Sequence, residues 1–369
     1  MNHTEQVTLG DLITLQRGFD LPMDRRVEGT VPVVASTGIA AYHDEVKVNA
    51  PGVVIGRSGS IGGGQYLSKD FWPLNTTLWI KDFKGNDPRF MYYLIRSIDF
   101  TRFNAGAGVP TLNRNHINGI RVPRFDSDEQ LQIAAHLLTY DDLIENNLRR
   151  IELLEQSARL LYKEWFIRFR FPGHEGASFS NGLPVGWKST RLVNVAELTY
   201  GYSFKSKFFN TTGDGLPLVR IRDIPAGESQ TYTPEEAPKS KLLNDGDFVV
   251  GMDGDFHMNC WTGGKAWINQ RVVRIKGVPG VGDTFLRYAC QRPIEIFNAT
   301  IVGTTVAHLG AKHLNLINVL IPDEMIFNKA QEFFDSVGSQ LVILAQQIRT
   351  ARRARDLLLP RLMNGTVTL

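Results

Sequence analysis

Residues 106–122, GAGVPTLNRNHINGIRV, return at 303–319 as GTTVAHLGAKHLNLINV. At an offset of 197 positions the pairs Gly106/Gly303, Val109/Val306, Leu112/Leu309, His116/His313, Asn118/Asn315, Ile120/Ile317 and Val122/Val319 are identical. Upstream the match persists at slightly smaller offsets, as loops of unequal length require. LGDLITLQRGF answers LVNVAELTYGY through Leu9/Leu192, Leu15/Leu198 and Gly18/Gly201. GVVIGRSGS answers DFVVGMDGD through Val54/Val249, Gly56/Gly251 and Gly59/Gly254, and RFMYYL answers TFLRYA through Phe90/Phe285 and Tyr93/Tyr288. A period this long is a duplicated domain, so any fold must be built twice.

Within each copy the pattern is mixed. GVVIGRSGSIGG and GDFVVGMDGDF read as buried strands ending in Gly-rich turns, and NTTLWIK and QRVVRIK as further strands. DPRFMYYLIRS and DTFLRYACQ space their aromatic and aliphatic residues as short helices do. The expected fold class is α+β, with two α/β globular domains separated by two long α-helices.

After each copy runs a stretch with alternating steps of three and four, the signature of a coiled-coil seam. The first, from about Ser127 to Arg168, carries Leu137, Ile144, Leu148, Ile151, Ala158 and Trp165, interrupted by Asp141 and Glu155. The second, from about Asn328 to Asn364, carries Phe334, Val337, Leu341, Leu344, Ile348, Leu358 and Leu362, interrupted by Arg355. Each helix should be roughly 50–60 Å long. Gly338 should weaken the second helix, and Pro360 should kink or end it. A long helix with one apolar stripe needs a partner: its own domain or the other helix. The common offset of the two seams favours an antiparallel coiled coil and a pseudo-twofold tandem repeat. The expected boundaries are 1–125 for the first domain, 126–170 for its helix, 171–187 for a Gly/Pro-rich linker, 188–322 for the second domain, and 323–369 for the last helix and tail.

Charge alone names no partner, since the net charge is only +3. Segment 126–170 is acidic, with 6 Lys and Arg against 9 Asp and Glu. Two cysteines in unlike contexts, Cys260 and Cys290, argue against a disulfide framework or structural zinc and fit a reducing cytoplasm. No apolar run approaches the ~18 residues of a membrane span, and the opening lacks the pattern of a signal peptide.

With the order domain–helix–domain–helix in hand, the chain resembles the specificity subunit of prokaryotic type I restriction–modification systems. The resemblance rests on the two strand-turns, on VPTLNRNHINGIRVP leading into DEQLQIAAHLLTYDDLIENNLRRIELLEQSARLLYKEWF, and on GLPVGWKSTRLVNVAEL opening the second unit. It implies two target recognition domains that read the halves of a bipartite, asymmetric site in double-stranded DNA. It also implies helices that set the spacing and dock two modification (methyltransferase) subunits, with two restriction/translocase subunits joining them. S-adenosylmethionine, ATP and Mg would then belong to the partner subunits, and this chain would need no cofactor and perform no catalysis.

Candidate DNA readers in the first domain are Arg57, Ser58, Lys69, Arg102, Asn113, Arg114 and Asn115. In the second they are Lys205, Lys207, Arg220, Arg222, His257, Asn259, Lys265, Gln270, Arg271 and Lys312. Arg and Lys suit guanine or phosphate, and Asn and Gln suit adenine; each could equally be a solvated surface residue. The aromatics of TYGYSFKSKFF could grip DNA or fill a core. His116 and His313 read as caps at the domain–helix junction. Arg349, Arg352, Arg353 and Arg355 suit the helix C-terminus or a partner.

The rival classes are a two-lobed enzyme with a duplicated, diverged active site and an assembly scaffold that never touches DNA. GRSGSIGGG lacks Gly-x-Gly-x-x-Gly spacing and GGKA lacks the frame of a P-loop. No Gly-x-Ser-x-Gly elbow, His-Glu-x-x-His pair or Asn-Pro-Pro-Tyr/Phe motif is present. Asp253 and Asp255 could suggest metal chemistry, but Ser58 and Ser60 occupy their places in the first copy. His308 and His313 have no carboxylate or cysteine in ligand register along the sequence.

Overall fold

The computed structural model describes residues 5–301, 307–367 and 369. The Gly303 and Val306 ends of two repeat pairs lie outside that range. In chain order the first copy holds β1 (Gln6–Thr8), α1 (Leu9–Leu12), β2 (Thr14–Arg17), β3 (Val31–Ala35), β4 (Gly38–His43), β5 (Gly52–Gly56), β6 (Gly62–Leu67), β7 (Trp72–Pro73), β8 (Thr77–Asp82), α2 (Pro88–Ser97), α3 (Arg114–Asn118) and β9 (Arg121–Pro123), followed by the long α4 (Ser127–Tyr162). A small hairpin, β10 (Phe179–Ser180) and β11 (Leu183–Pro184), leads to the second copy. That copy holds β12 (Lys188–Arg191), α5 (Leu192–Val195), β13 (Ala196–Tyr200), β14 (Leu216–Val219), β15 (Tyr232–Thr233), β16 (Leu242–Leu243), β17 (Phe248–Gly251), β18 (Met258–Cys260), β19 (Ala266–Ile268), β20 (Val272–Gly277), α6 (Asp283–Thr300), α7 (Ala311–Leu314) and β21 (Asn318–Ile321). The long α8 (Glu324–Met363) closes the chain.

The duplication is plain in the sheets. The first copy has a four-stranded sheet in the order β2-β8-β5-β6, and the second has β13-β20-β17-β18. β1 pairs with β9 as β12 pairs with β21, joining the start of each domain to its end. A smaller sheet follows in each, with a parallel contact between β3 and β7 in one and between β14 and β19 in the other. The shared glycines explain part of the common text. A Cβ on Gly18 would stand 2.1 Å from the Leu74 carbonyl oxygen, and one on Gly201 1.9 Å from that of Asn269. Only glycine permits the two strands to approach so closely.

Two compact units result, Met1–Leu143 with Ala351–Leu369, and Ile144–Thr350. Their boundaries fall inside α4 and α8, so each unit keeps a part of both helices. In the first unit Ile133, Ala134 and Leu137 share a core with Leu359, Leu362 and Met363. Asp141 takes Arg355 at 2.5 Å and accepts from the Tyr93 hydroxyl at 2.7 Å. In the second unit Ala158, Phe334, Val337 and Leu341 share a core, and Asn147 donates to Gln347 at 3.0 Å. In both units the α4 and α8 segments run antiparallel. The interruptions Asp141 and Arg355 are thus partners, while Glu155 pairs with Arg287 of α6 at 2.6 Å.

Several expectations need correction. Leu148 is 46% exposed, and the buried position beside it is Asn147, 1% exposed. Ile144 is buried, and the seam steps three residues to Asn147 and then four to the half-buried Ile151, which leaves Leu148 outside it. In the second helix Leu359 is buried while Leu358 is half-buried. Trp165 is half-buried and Ile151 likewise; the helix passes at Lys163–Ile167 into a wider π turn that buries Phe166 instead of Trp165. Pro360 does not end α8, which continues to Met363. Pro360 faces solvent, as does Asp356, so water can satisfy the carbonyl that loses its partner, and the Asn364 amide closes the last turn on Pro360. The helix α6 is longer than its sequence pattern implied and runs through Pro293. Segment 171–187 carries the β10–β11 hairpin, and its Phe171 and Trp187 are buried in the second unit's core.

Gly338 has a use that outweighs its low helix propensity. A Cβ there would stand 2.1 Å from Thr284 Oγ1, so its absence seats α8 against the start of α6. Gly338→Ala should destabilise by about 1–3 kcal/mol through overpacking, despite alanine's better propensity. Thermal melting checks this, and adding Thr284→Ser, which keeps the hydroxyl but frees its rotamer, should restore part of the loss.

Candidate nucleic-acid interface

In each unit the Gly-rich turn between an inner strand and its edge neighbour, β5–β6 or β17–β18, is tied by backbone bonds to the loop before the domain's last small helix. In the first unit the Arg57 and Ser58 amides donate to the Thr76 carbonyl, the Gly59 amide to Pro110, and the Leu112 amide to Arg57. Ser58 bridges Thr111. Arg57, Ser58, Asn113, Arg114 and Asn115 are therefore brought to one end of the sheet. Arg102 joins them through Asn104, which bridges Leu112. Lys69 does not: it lies beyond β6 at the far end of the β5–β6 hairpin, where Gly52 pairs with Leu67.

Within this cluster the roles differ. Asn113 Oδ1 accepts from the Asn115 amide and caps α3. Arg114 donates to the Leu15 carbonyl at 3.4 Å. Arg102 pairs with Asp99 at 3.1 Å, whose carboxyl is held below its usual range first by the Thr101 hydroxyl and amide, then by Arg102. Arg57 and Arg17 both reach the Asn75 carbonyl, at 3.5 and 3.4 Å. Arg17, at the end of β2, escaped the sequence reading; its place beside the strictly repeated Gly18 was the available signal.

The second unit repeats the wiring with new side chains. The Met252 amide donates to the Arg271 carbonyl, the Gly254 amide to Ala307 and the Leu309 amide to Met252. Asp253 bridges His308. Gln270 and Arg271 sit at this end, as does His257, whose carbonyl accepts from the Gly251 amide. Lys312 follows on α7 and is exposed. Arg222 is exposed on the short turn Ile221–Asp223. Arg220 turns inward to Thr231 and Asp223, and Asn259 is occupied by the Ile224 carbonyl and the Cys260 amide. Lys265 belongs to the opposite end, beside Gly264, whose amide donates to Asp245. Lys205 and Lys207 ride on the smaller sheet, where the Lys205 amide is held by Glu235 and Lys207 lies over the Phe208 ring. In the same segment Phe204 is buried against Trp267, while Tyr202 and Phe208 are exposed.

The histidine readings also resolve. His313 Nδ1 accepts from the Gly310 amide at 3.0 Å, a cap for α7. Burial, then Lys312 and His308, lower its pKa, which keeps the ring neutral and able to accept. His116 is exposed, and Asn113 caps in its stead. The sequence showed no carboxylate in register with His308, yet folding brings Asp253 Oδ1 to 2.6 Å from its Nδ1. Among the described residues no group of three or more His, Cys, Asp or Glu could hold a metal ion, and no helix is long and apolar enough to cross a membrane.

One backbone scaffold built twice, each copy wired to a long helix and each presenting a different set of polar side chains on the same turn, defines a tandem-domain protein. Residues 1–156 match the family model described as the type I restriction modification DNA specificity domain. The EcoBI specificity subunit of Escherichia coli is 31% identical over 49% of this chain and 40% of its own length. The MjaIX specificity subunit of Methanocaldococcus jannaschii is 24% identical over 79% of this chain and 73% of its own length. The chain thus spans less than half of the first relative and about three quarters of the second. A crystal structure of the type I restriction–modification S subunit from M. genitalium shares the fold, at 16% identity, a TM-score of 0.66, and coverage of 98% and 97% of the two chains. Over the matched stretches the chain is similar to type I restriction enzyme specificity subunits.

Proposed function

We propose that this chain is the DNA sequence-recognition subunit of a type I restriction–modification complex. Each globular domain reads one half of a bipartite site, the paired helices set the gap and dock two modification subunits, and two restriction subunits complete the assembly. The chain selects the address, while chemistry and its S-adenosylmethionine, ATP and Mg reside in the partners. The observation that carries this reading is the wiring shared by the two turns, three corresponding backbone bonds and one bridge, under unlike side chains, Arg57 and Ser58 in one copy and Met252 and Asp253 in the other. A recognition surface that must be rewritten without disturbing its support has this property, because backbone bonds hold the turn and leave its side chains free to vary.

The experiment is duplex binding by the full chain, alone and with its modification subunits, across a salt series. Binding alone should be weak and non-specific. With the subunits present, binding should be selective. If six or more phosphates are contacted, affinity should fall about a thousandfold or more between ~50 and ~200 mM salt. A salt-independent signal, or no duplex binding in either form, contradicts the proposal.

A further inference from the structure

The turn of the second domain carries a charged set on backbone positions that correspond one to one with hydroxyl residues in the first. Ser58, Thr76 and Thr111 occupy the turn, its carbonyl acceptor and the bridging loop position; Asp253, Arg271 and His308 occupy the same three. The replacement is concerted. Asp253 Oδ1 is 2.6 Å from His308 Nδ1, and Oδ2 is 3.1 Å from Arg271 Nε. The Asp253 side chain is 23% exposed, against 54% for Arg271 and 49% for His308, so a sheltered acid supports two projecting heads.

An ion pair made at Nε keeps the guanidinium at the turn and leaves its two Nη groups without an ion-pair partner among the described residues. That planar fork matches O6 and N7 of guanine in the major groove. A phosphate contact needs only charge, whereas the planar fork adds a match to the guanine edge. Among the described residues no other group pairs with Arg271. We propose that Arg271 reads a guanine in the half-site of the second domain, with Asp253 as its positioning residue and His308 as the second support of that acid. This rests on the DNA-reading function proposed above and adds to it a base and a residue.

The test places variants in the host in place of the wild-type chain and maps methylated adenines made by the whole complex. Arg271→Ala should reduce the preference for guanine at one position of one half-site by about tenfold or more. Arg271→Lys, which keeps the charge and loses the fork, should do the same. Asp253→Asn should weaken the same position to a smaller degree and leave the other half-site unchanged. The melting temperatures of the purified variants report folding, and the conservative Arg271→Lys and Asp253→Asn carry the test if the others melt early. The proposal is overturned if Arg271→Lys leaves the motif intact, if methylation falls evenly at all sites as loss of a phosphate contact would cause, or if the altered position is not a guanine. A wild-type map with no bipartite motif would instead overturn the function on which the proposal rests.

Discussion

On the proposed function, exchanging residues 1–125 for the equivalent stretch of a relative should rewrite one half of the recognised sequence and leave the other half and the gap as they were. The expectation follows from the separation of the cores. The buried cluster of the first unit draws on residues 9–137 and 359–363, while that of the second draws on 158–341. No buried residue is common to both, so new side chains in one domain do not repack the other. The junction still matters. Gln130 of α4 accepts from the Asp87 amide and donates to the Asn86 side chain and the Phe125 carbonyl. Phe90 meets Phe125 edge to face at 5.3 Å. A donor domain must therefore supply partners for Gln130, or the loss of a buried amide network will cost about 1–3 kcal/mol and obscure the result. Adenine-methylation mapping reads the outcome, and a change in both halves contradicts modular reading.

Leu341→Asp with Leu344→Asp is the largest stability effect expected from the helices. Both leucines are buried, 5% and 1% exposed, and Leu341 lies in the core with Phe334 and Val337. Removing two buried leucines and placing two charges in their space should cost at least ~5 kcal/mol. That approaches the whole stability of many domains. Thermal melting should show either a drop of at least ~10 °C or no cooperative transition, and assembly with modification subunits should fail. Leu148→Asp is the matched control. At 46% exposed, Leu148 should tolerate the charge within about 0.5 kcal/mol. Equal losses in the two variants would contradict the seam found in the structure.

Much of the scaffold was legible because hydrophobic period and Gly placement are local signals, and the chain states them twice. The turn at Gly59 and Gly254, the strands before it, and the two long helices all follow from that text. The errors arose where a non-local partner decides. Hydropathy alone favours Leu148 over Asn147 in a seam, yet Gln347, 200 residues away, satisfies the buried Asn147 amide. Pro360 suggests a kink or an end to the helix, because sequence does not show that the carbonyl it leaves unpaired is open to water. At the interface, residue type suggested Arg220 and Asn259, but folding commits both to internal partners. The Asp253–His308–Arg271 set is visible only once strands distant in sequence meet at one sheet end.

Genome-wide mapping of methylated adenines in the host, with and without this chain, bears most directly on the central claim. A tandem reader with two unlike turns predicts a motif of two non-identical blocks at a constant gap, lost when the chain is deleted. A single uninterrupted word, two identical blocks, or methylation that persists unchanged without the chain would contradict it.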